Sequence, residues 1–371
     1  MAKRAGIVLL IALPAAALGA LGVVVAAAQP SASGRVATHF ASREVFALVF
    51  GVLVAIAAAQ VGPRRLLRAA PVLFACALLA SLAVFVPGVG VHAAGASRWI
   101  HVGPFSGDPA PLLVATTAML VAAWAAPARA GLVAASSAAE RARHALALTA
   151  AVAAIATCVA EPDFSAAALT LAAVLAALAG AGVAGRRLMP ATAAVVVVLA
   201  VLASRFGYVG GRVSGFLAPE ADRRGHGFEV LALAHAQAKA TPTGVGLGHG
   251  TSRHRLSSPG SDYVFAVVTE ELGLRGAGAV VGAWLAIGAG AAFAALGARD
   301  PHRRAAALGA GAAALAPAAL HVAVCRGWVP IIGVSMPLVS YDPAATVAAG
   351  AELGLIAAIA LSPGGGADDD P

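Results

Sequence analysis

The chain alternates between long apolar runs and shorter polar connections. Ten of these runs approach 20 residues, the length that an α-helix needs to cross a hydrocarbon layer of about 30 Å. In lipid, only helices or closed barrels satisfy the backbone, and runs so rich in Ala and Leu lack the alternation of barrel strands. We therefore predict an all-α, polytopic membrane protein. The predicted spans are 6–28, 45–61, 69–88, 110–127, 144–160, 165–184, 190–206, 275–297, 305–325 and 343–361.

Composition supports this class. Of the 371 residues, 60% are hydrophobic and 11% are charged, whereas soluble domains average about 45–50% and about 25%. The three cysteines, Cys76, Cys158 and Cys325, fall in predicted spans, and none is placed for a disulfide. The sequence has no Cys-x-x-Cys or His-x-x-x-His spacing, so it indicates no metal site of those kinds.

The distribution of Lys and Arg predicts the orientation. With the N-terminus inside, thirteen of these residues lie on cytoplasmic segments and five on short outer segments, and seven lie in a long outer loop at about 205–262. Because positive residues favour the cytoplasmic side, we predict that both termini are cytoplasmic. The net charge of +8 then reflects topology, and no nucleic-acid partner is expected.

We expect a single transmembrane domain over 1–361, followed by a flexible acidic cytoplasmic tail at 362–371. The first apolar run resembles a signal peptide in one respect, because Lys3 and Arg4 precede it and Ala26–Ala28 resembles a cleavage site. Its length of more than 20 residues favours a retained span.

Four outer segments, 91–108, 161–165, 205–262 and 326–342, hold most of the polar sequence that topology does not explain. The long loop has helix-like apolar spacing, so we predict interfacial helices within it. The same outer face gathers cations that suit an anionic ligand, since Arg grips phosphate with two donors, although contact with lipid head groups is the alternative. These cations and their neighbours are Arg98, Arg212, Arg223, Arg224, Lys239, Arg253, Arg255, His249 and His254.

Three acids, Asp262, Glu270 and Glu271, crowd into ten positions before the eighth span. Asp262 follows Pro-Gly-Ser, where an Asp commonly caps a helix. The two glutamates have an ordinary interpretation as solvated interface residues, or as partners of Arg275, which lies four residues after Glu271. The functional alternative for Asp262 is a general base beside a cationic pocket.

Six motifs in order resemble the SEDS family of cell-wall glycosyltransferases, typified by FtsW, RodA and SpoVE, from about residue 85 to 356. Residues 95–105 are similar to its Gly-x-x-Arg-Trp segment, and 161–165, EPDFS, resemble Gln-Pro-Asp-Leu-Gly. The stretch RVSGFLAPEAD at 212–222 resembles Arg-Val-x-x-Phe-Leu-Asp-Pro-x-x-Asp. The other three motifs are GVGLG at 244–248, DYVFAVVTEELG at 262–273 and PIIGVSMPLVSY at 330–341.

The resemblance implies a reaction and a set of roles. Such enzymes polymerise lipid II, a disaccharide-peptide on undecaprenyl diphosphate, on the outer membrane face with inversion at the sugar. They work with a class B penicillin-binding protein, and they sit among membrane lipids. A divalent cation, Mg or Mn, is left open, since no ligand set can be read. The implied general base is Asp262, and the implied substrate-binding residues are Arg98, Trp99, Asp163, Arg212, Ser340 and Tyr341.

The sequence also departs from the family pattern. A family Glu corresponds to Pro111, with Asp108 three positions earlier, and an Asn-x-Gly becomes residues 321–323, HVA. Two glycines after Tyr341 are replaced by Asp342 and Pro343. These departures leave two alternatives open, a degenerate member that binds lipid II or acts as a scaffold, and a flippase of polyprenyl-linked sugars. Few charges lie deep in the spans, which argues against coupled transport.

Overall fold

The computed structural model describes residues 2–28, 34–93, 96–102, 105–125 and 138–362. The predicted acidic tail, from residue 363 onward, and Arg129 of the predicted cytoplasmic set lie outside these ranges.

Ten long helices correspond to the ten predicted spans. Eight of the described helices are long and apolar enough to cross a membrane, and two shorter apolar helices, α4 and α6, complete the set. The ten helices are α1 (Ala2–Ala27), α2 (Gly34–Val61), α3 (Pro63–Leu82), α4 (Ala110–Ala125), α5 (Ala138–Ala160), α6 (Phe164–Gly180), α7 (Gly185–Ala203), α12 (Gly273–Gly297), α13 (Pro301–Cys325) and α14 (Pro343–Leu361). The predicted class, an all-α polytopic membrane protein, is confirmed.

The long loop between α7 and α12 is helical in several places, as its apolar spacing predicts. It contains α8 (Gly207–Leu217), a 3-10 turn (Pro219–Asp222), α9 (Gly227–Ala238), the single turn α10 (Ser252–Arg255) and α11 (Val264–Glu271).

The connection between α3 and α4 differs from the all-α expectation. It forms a small antiparallel sheet of β1 (Gly90–Ala93), β2 (Ala96–Val102) and β3 (Phe105–Gly107), in that order. The middle strand places Ile100 opposite both Gly90 and Gly107. Consecutive antiparallel strands can pair with each other locally. This segment therefore forms a sheet although it shows no long apolar run of the kind that predicts the helices.

Helix α13 lies at the centre of the bundle, where it contacts α4, α6, α12 and α14. Its buried face is made largely of Ala and Gly. Small residues let helix backbones approach closely. Helices in lipid associate through such close packing, because burial of apolar side chains away from apolar lipid gives no net free energy of association. Helix α1 packs against α12, α2 and α14, and Ile11 and Leu18 are buried there.

The N-terminal end of α1 lies beside the C-terminal end of α14. A guanidinium nitrogen of Arg4 donates to the carbonyl of Leu361 at 3.4 Å. The connections that carry Arg98, Asp163, Asp262 and Asp342 meet at one shared cavity. They follow α3, α5, α7 and α13, and every second connection of an up-and-down bundle lies at the same end.

The contact between α2 and α14 depends on Gly350. A Cβ atom at this position would lie 2.3 Å from the carbonyl oxygen of Gly51, so the two backbones would have to separate. We predict that Gly350→Ala destabilises the protein by about 1–3 kcal/mol, as overpacking of a close contact does. Unfolding in detergent micelles measures this change.

The matched control is Gly278→Ala on α12, where a Cβ would meet nothing within 4 Å. This change should be neutral or slightly stabilising, since Ala has the higher helix propensity. Equal effects of the two substitutions would contradict the close-contact explanation.

Candidate functional site

Asp262 stands just before α11 and does not cap it. The N-cap residue is Tyr263, which makes no side-chain cap bond, so the helix-cap alternative for Asp262 does not hold. The backbone just before Asp262 is fixed by residues from the α13–α14 connection. Tyr341 donates its N–H to the carbonyl of Gly260 at 2.8 Å, and Ser340 donates its hydroxyl to the carbonyl of Ser261 at 2.7 Å.

The Asp262 side chain lines a cavity of about 500 Å³, a volume within the usual range of ligand pockets. Six of the seven residues predicted for the site line this cavity together, although they come from four separate connections. They are Arg98, Trp99, Asp163, Arg212, Asp262 and Tyr341.

The seventh predicted residue, Ser340, has a different place. Its side chain is fully buried, and its hydroxyl accepts from Met336 N at 2.8 Å while donating to Ser261. Ser340 therefore holds the segment before Asp262 against the bundle, and it is absent from the cavity lining among the residues the structure describes.

Arg98 on β2 is held by the turn between α5 and α6. One of its terminal nitrogens donates to the carbonyl of Pro162, and its Nε lies 3.8 Å from Asp163 Oδ2. The same carbonyl accepts from the Tyr208 hydroxyl at 2.7 Å. Asp163 also caps α6 by accepting from Ala166 N at 2.9 Å. The EPDFS turn therefore fixes both a cation and a carboxylate at the cavity wall.

Two further cations complete the wall. The Arg212 guanidinium lies 5.4 Å from the centre of the Tyr208 ring, a cation–π arrangement. Arg43, near the start of the candidate membrane span Ala41–Val61 of α2, also lines the cavity and interacts with Tyr341. Arg43 is one of the five cations predicted on short outer segments. Neither Arg43 nor Tyr208 was predicted for the site, since neither stands in a motif. Their only sequence signal was their position at the outer ends of predicted spans.

The cavity wall also holds more carboxyl groups than were predicted for the site. Asp108 and Asp342 line the cavity beside Asp163 and Asp262, although Asp342 departs from the family pattern. Asp342 caps α14 by accepting from Ala345 N at 3.0 Å. Four carboxyl groups therefore face three guanidinium groups around one cavity.

This charge arrangement raises the pKa of Asp262. Burial raises it most, the nearby Asp342 raises it further, and Arg212 and Arg98 oppose the increase, leaving a pKa of about 6. The pKa of Asp108 rises to about 8, chiefly through burial and then through Asp163 and Asp342. The cavity thus holds one carboxyl that is ionised at neutral pH but able to accept a proton, and a second one that stays largely protonated.

The carboxylates do not form a preassembled metal site. In the ranges that the structure covers, no group of three or more His, Cys, Asp or Glu side chains is arranged to hold a metal ion. The divalent cation that the resemblance leaves open therefore has no recognisable ligand set here, and we assign it no step.

Glu270 and Glu271 contradict their predicted role as solvated residues or partners of Arg275. Both are buried, with 1% exposure, and Arg275 is exposed. Glu271 forms a buried ion pair with Arg253 and accepts from Gly248 N at 2.9 Å and Gly250 N at 3.2 Å.

Glu270 accepts from the N–H groups of Thr251 and Ser252 at 3.0 and 2.8 Å. Burial alone would raise its pKa, but the hydrogen bonds from Ser252 and Thr251 outweigh it, and the pKa is lowered. The two glutamates are therefore structural anions that organise the preceding loop.

The remaining predicted cations do not form one ligand site. Arg253 is buried with Glu271, Arg223 pairs with Glu220 on the surface, and Lys239 donates to the Thr251 hydroxyl at 3.0 Å. Of the long-loop cations within the described ranges, Arg212 alone lines the cavity.

Comparison with known proteins gives concordant matches. The model of the cell cycle protein family FtsW/RodA/SpoVE matches residues 7–363. The chain is 30% identical over 289 residues to the probable peptidoglycan glycosyltransferase FtsW of Mycobacterium tuberculosis, covering 76% of this chain and 53% of that protein. It thus spans about half the length of that relative. The protein of the same description from Halorhodospira halophila is 28% identical over 351 residues, with 92% and 87% coverage.

A solved structure has the same fold. It comes from a peptidoglycan synthase complex that coordinates polymerization and crosslinking, and it superposes with a TM-score of 0.74 at 23% identity, over 94% of this chain and 96% of that chain. At this identity the match supports the fold alone.

The Arg253–Glu271 pair allows a direct test of the internal network. Both side chains are 1% exposed, so Arg253→Met would leave Glu271 buried without its counter-charge. We predict a loss of stability of about 3–5 kcal/mol, measured by unfolding in detergent.

Arg223→Met is the matched control, because the Arg223–Glu220 pair is 71% and 61% exposed. Such pairs contribute about 0–1 kcal/mol. A loss of similar size at both positions would show that the buried network does not anchor the loop.

Proposed function

Because the chain belongs to the FtsW/RodA/SpoVE family of cell cycle proteins, we propose that it is a peptidoglycan glycosyltransferase that polymerises lipid II. The observation that carries this proposal is the cavity itself. It places the carboxyl of Asp262, one of the four carboxyl groups in its wall, beside three guanidinium groups, those of Arg43, Arg98 and Arg212. Glycosyl transfer from a diphosphate requires both a proton acceptor and cations at the leaving group.

In the proposed reaction, the 4-hydroxyl of the acceptor GlcNAc attacks C1 of the donor MurNAc. The hydroxyl proton passes to the carboxylate of Asp262 as the new C1–O bond forms. The bond from C1 to the phosphate oxygen breaks, and its electron pair leaves with the polyprenyl diphosphate. Attack opposite the leaving group inverts the configuration at C1.

The cations have separate proposed tasks. Arg98 and Arg212 lie on opposite connections and are already fixed, Arg98 by the Pro162 carbonyl and Arg212 over Tyr208. Donors fixed before the reaction stabilise a developing charge without reorganisation. We assign them to the diphosphate, with Arg43 at the rim, and we assign Trp99 and Tyr341 to the sugars, which aromatic faces commonly border.

We further propose that the cavity opens to the outer face and that both termini are cytoplasmic. The unequal Lys and Arg distribution supports this orientation, and the Arg4–Leu361 contact supports a common side for both termini. A class B penicillin-binding protein is the proposed partner, which would cross-link the new strand. Any requirement for Mg or Mn stays a prediction.

The decisive experiment uses purified protein, with and without a class B transpeptidase, and labelled lipid II. We expect polymer from the wild type and none from Asp262→Asn, because the amide cannot accept the proton. Glu220→Gln is the control, since this acid lies in the same loop but is 61% exposed and should leave polymerisation unchanged.

The same assay separates the alternatives. Tight binding of lipid II without polymer from either protein would support the scaffold. Movement of lipid II between leaflets without polymer would support the flippase. Polymer from Asp262→Asn at the wild-type rate would refute the assigned base.

The pH dependence offers a further prediction. With a pKa of about 6 for Asp262, the base is about nine tenths ionised at pH 7 and about one tenth ionised at pH 5. We therefore expect the polymerisation rate to fall about tenfold as pH falls from 7 to 5. Initial rates across this range measure it, and a flat profile would contradict the assignment.

A further inference from the structure

A second cavity, of about 490 Å³, lies between α1, α2 and α14. Its wall is almost wholly apolar and rich in small residues, among them Ala12, Ala16 and Gly19 on α1 and Gly51 and Ala55 on α2. Ala12 and Ala16 are exposed on the bundle surface. The cavity is therefore a groove that opens toward the surrounding lipid.

The groove adjoins the candidate active site. One short segment separates them, because Tyr341, Asp342 and Pro343 line the site whereas Leu338 and Thr346 line the groove. On α2, Arg43 lines the site and Leu48 lines the groove. Those two positions are five residues apart, a helical rise of about 7.5 Å.

The groove also extends through most of the bundle. On α2 its lining runs from Leu48 to Ala59, and on α14 it runs from Thr346 to Leu361. At 1.5 Å per residue, these stretches measure about 16 and about 22 Å, most of a hydrocarbon layer of about 30 Å. Leu361 lies at the end of the bundle opposite the active site, beside Arg4.

These features specify the chemistry of an occupant. The wall suits a long, flexible apolar chain. The end of the groove next to the candidate active site lies beside three guanidinium groups that suit an anionic head group. We infer that this groove holds the polyprenyl chain of the lipid-linked substrate while its diphosphate lies in the active site. This inference rests on the proposed function, because that function supplies the head group.

A membrane phospholipid is the competing occupant. Its head group belongs at the water interface and has no need to enter the cavity beyond Tyr341. The proximity of the groove to the cavity favours a lipid whose anionic and sugar groups extend past the chain into the protein.

The first test uses Ala16→Trp, which places a large ring in the groove. The matched control is Ala17→Trp, since Ala17 is an exposed neighbour on α1 outside the described lining. We expect Ala16→Trp to raise the KM for long-chain lipid II about tenfold, equivalent to about 1.4 kcal/mol. The KM for an analogue with a three-isoprene chain should stay unchanged, and so should both values for Ala17→Trp. Equal effects on long and short chains would overturn the inference.

The second test needs no turnover and uses wild-type protein. A polyprenyl diphosphate with a photoreactive group along its chain should label α1, α2 or α14. Excess unlabelled polyprenyl diphosphate should suppress this labelling, whereas excess phosphatidylglycerol should not. Equal suppression by both lipids, or labelling confined to other helices, would show that the groove holds bulk lipid.

The two proposals fail separately. Labelling of these helices by a protein that makes no polymer would refute the enzyme and keep the groove as a binding site. Polymer formation without such labelling would keep the enzyme and refute the groove.

Discussion

Two buried glutamates control how the long loop meets the bundle. Glu270 and Glu271 stand at the end of α11 and receive four backbone N–H groups from residues 248–252. Buried carboxylates are costly unless hydrogen-bonded or paired, so the loop must wrap around them in one way. The glycines at 244, 246 and 248 allow this path, because each has a φ between 76° and 97° that other residues rarely adopt. Arg253 then joins Glu271 to the carbonyl of Val25 on α1.

These contacts also fix the position of Asp262 in the candidate site. Because α11 is fixed at its C-terminal end by these contacts, its N-terminal end carries Asp262 to a defined place. There the α13–α14 connection holds Gly260 and Ser261. Two of the cavity's carboxylates, Asp163 and Asp342, also cap α6 and α14. Both helices thus begin at the cavity, and helix N-termini favour anions. The same acids that start these helices border a cavity whose wall also carries three guanidinium groups.

The sequence predicted the helical frame and most of the site, for identifiable reasons. Apolar length alone located the ten spans, and six of the seven proposed residues share one cavity because the motifs occupy connections at the same end of the bundle. Burial of Glu271 could not be predicted, since its i, i+4 spacing to Arg275 indicated a surface pair and the true partner, Arg253, is 18 residues earlier. The sheet around Arg98 escaped prediction because its strands are only 3 to 7 residues long. Arg43 was missed because a single cation near the start of a membrane span belongs to no recognisable motif.

The residues that depart from the family pattern have structural roles near the candidate site. Asp342 and Pro343 start α14, the first as its N-cap and the second at its first position, the place where Pro fits best. His321 is fully buried. Its Nδ1 lies 2.7 Å from the Val334 carbonyl and its Nε2 accepts from Phe265 N at 3.3 Å, so it links α13 to α11. The divergent residues therefore have structural roles around the segment that carries Asp262, and this fixed position is what the proposed general base requires.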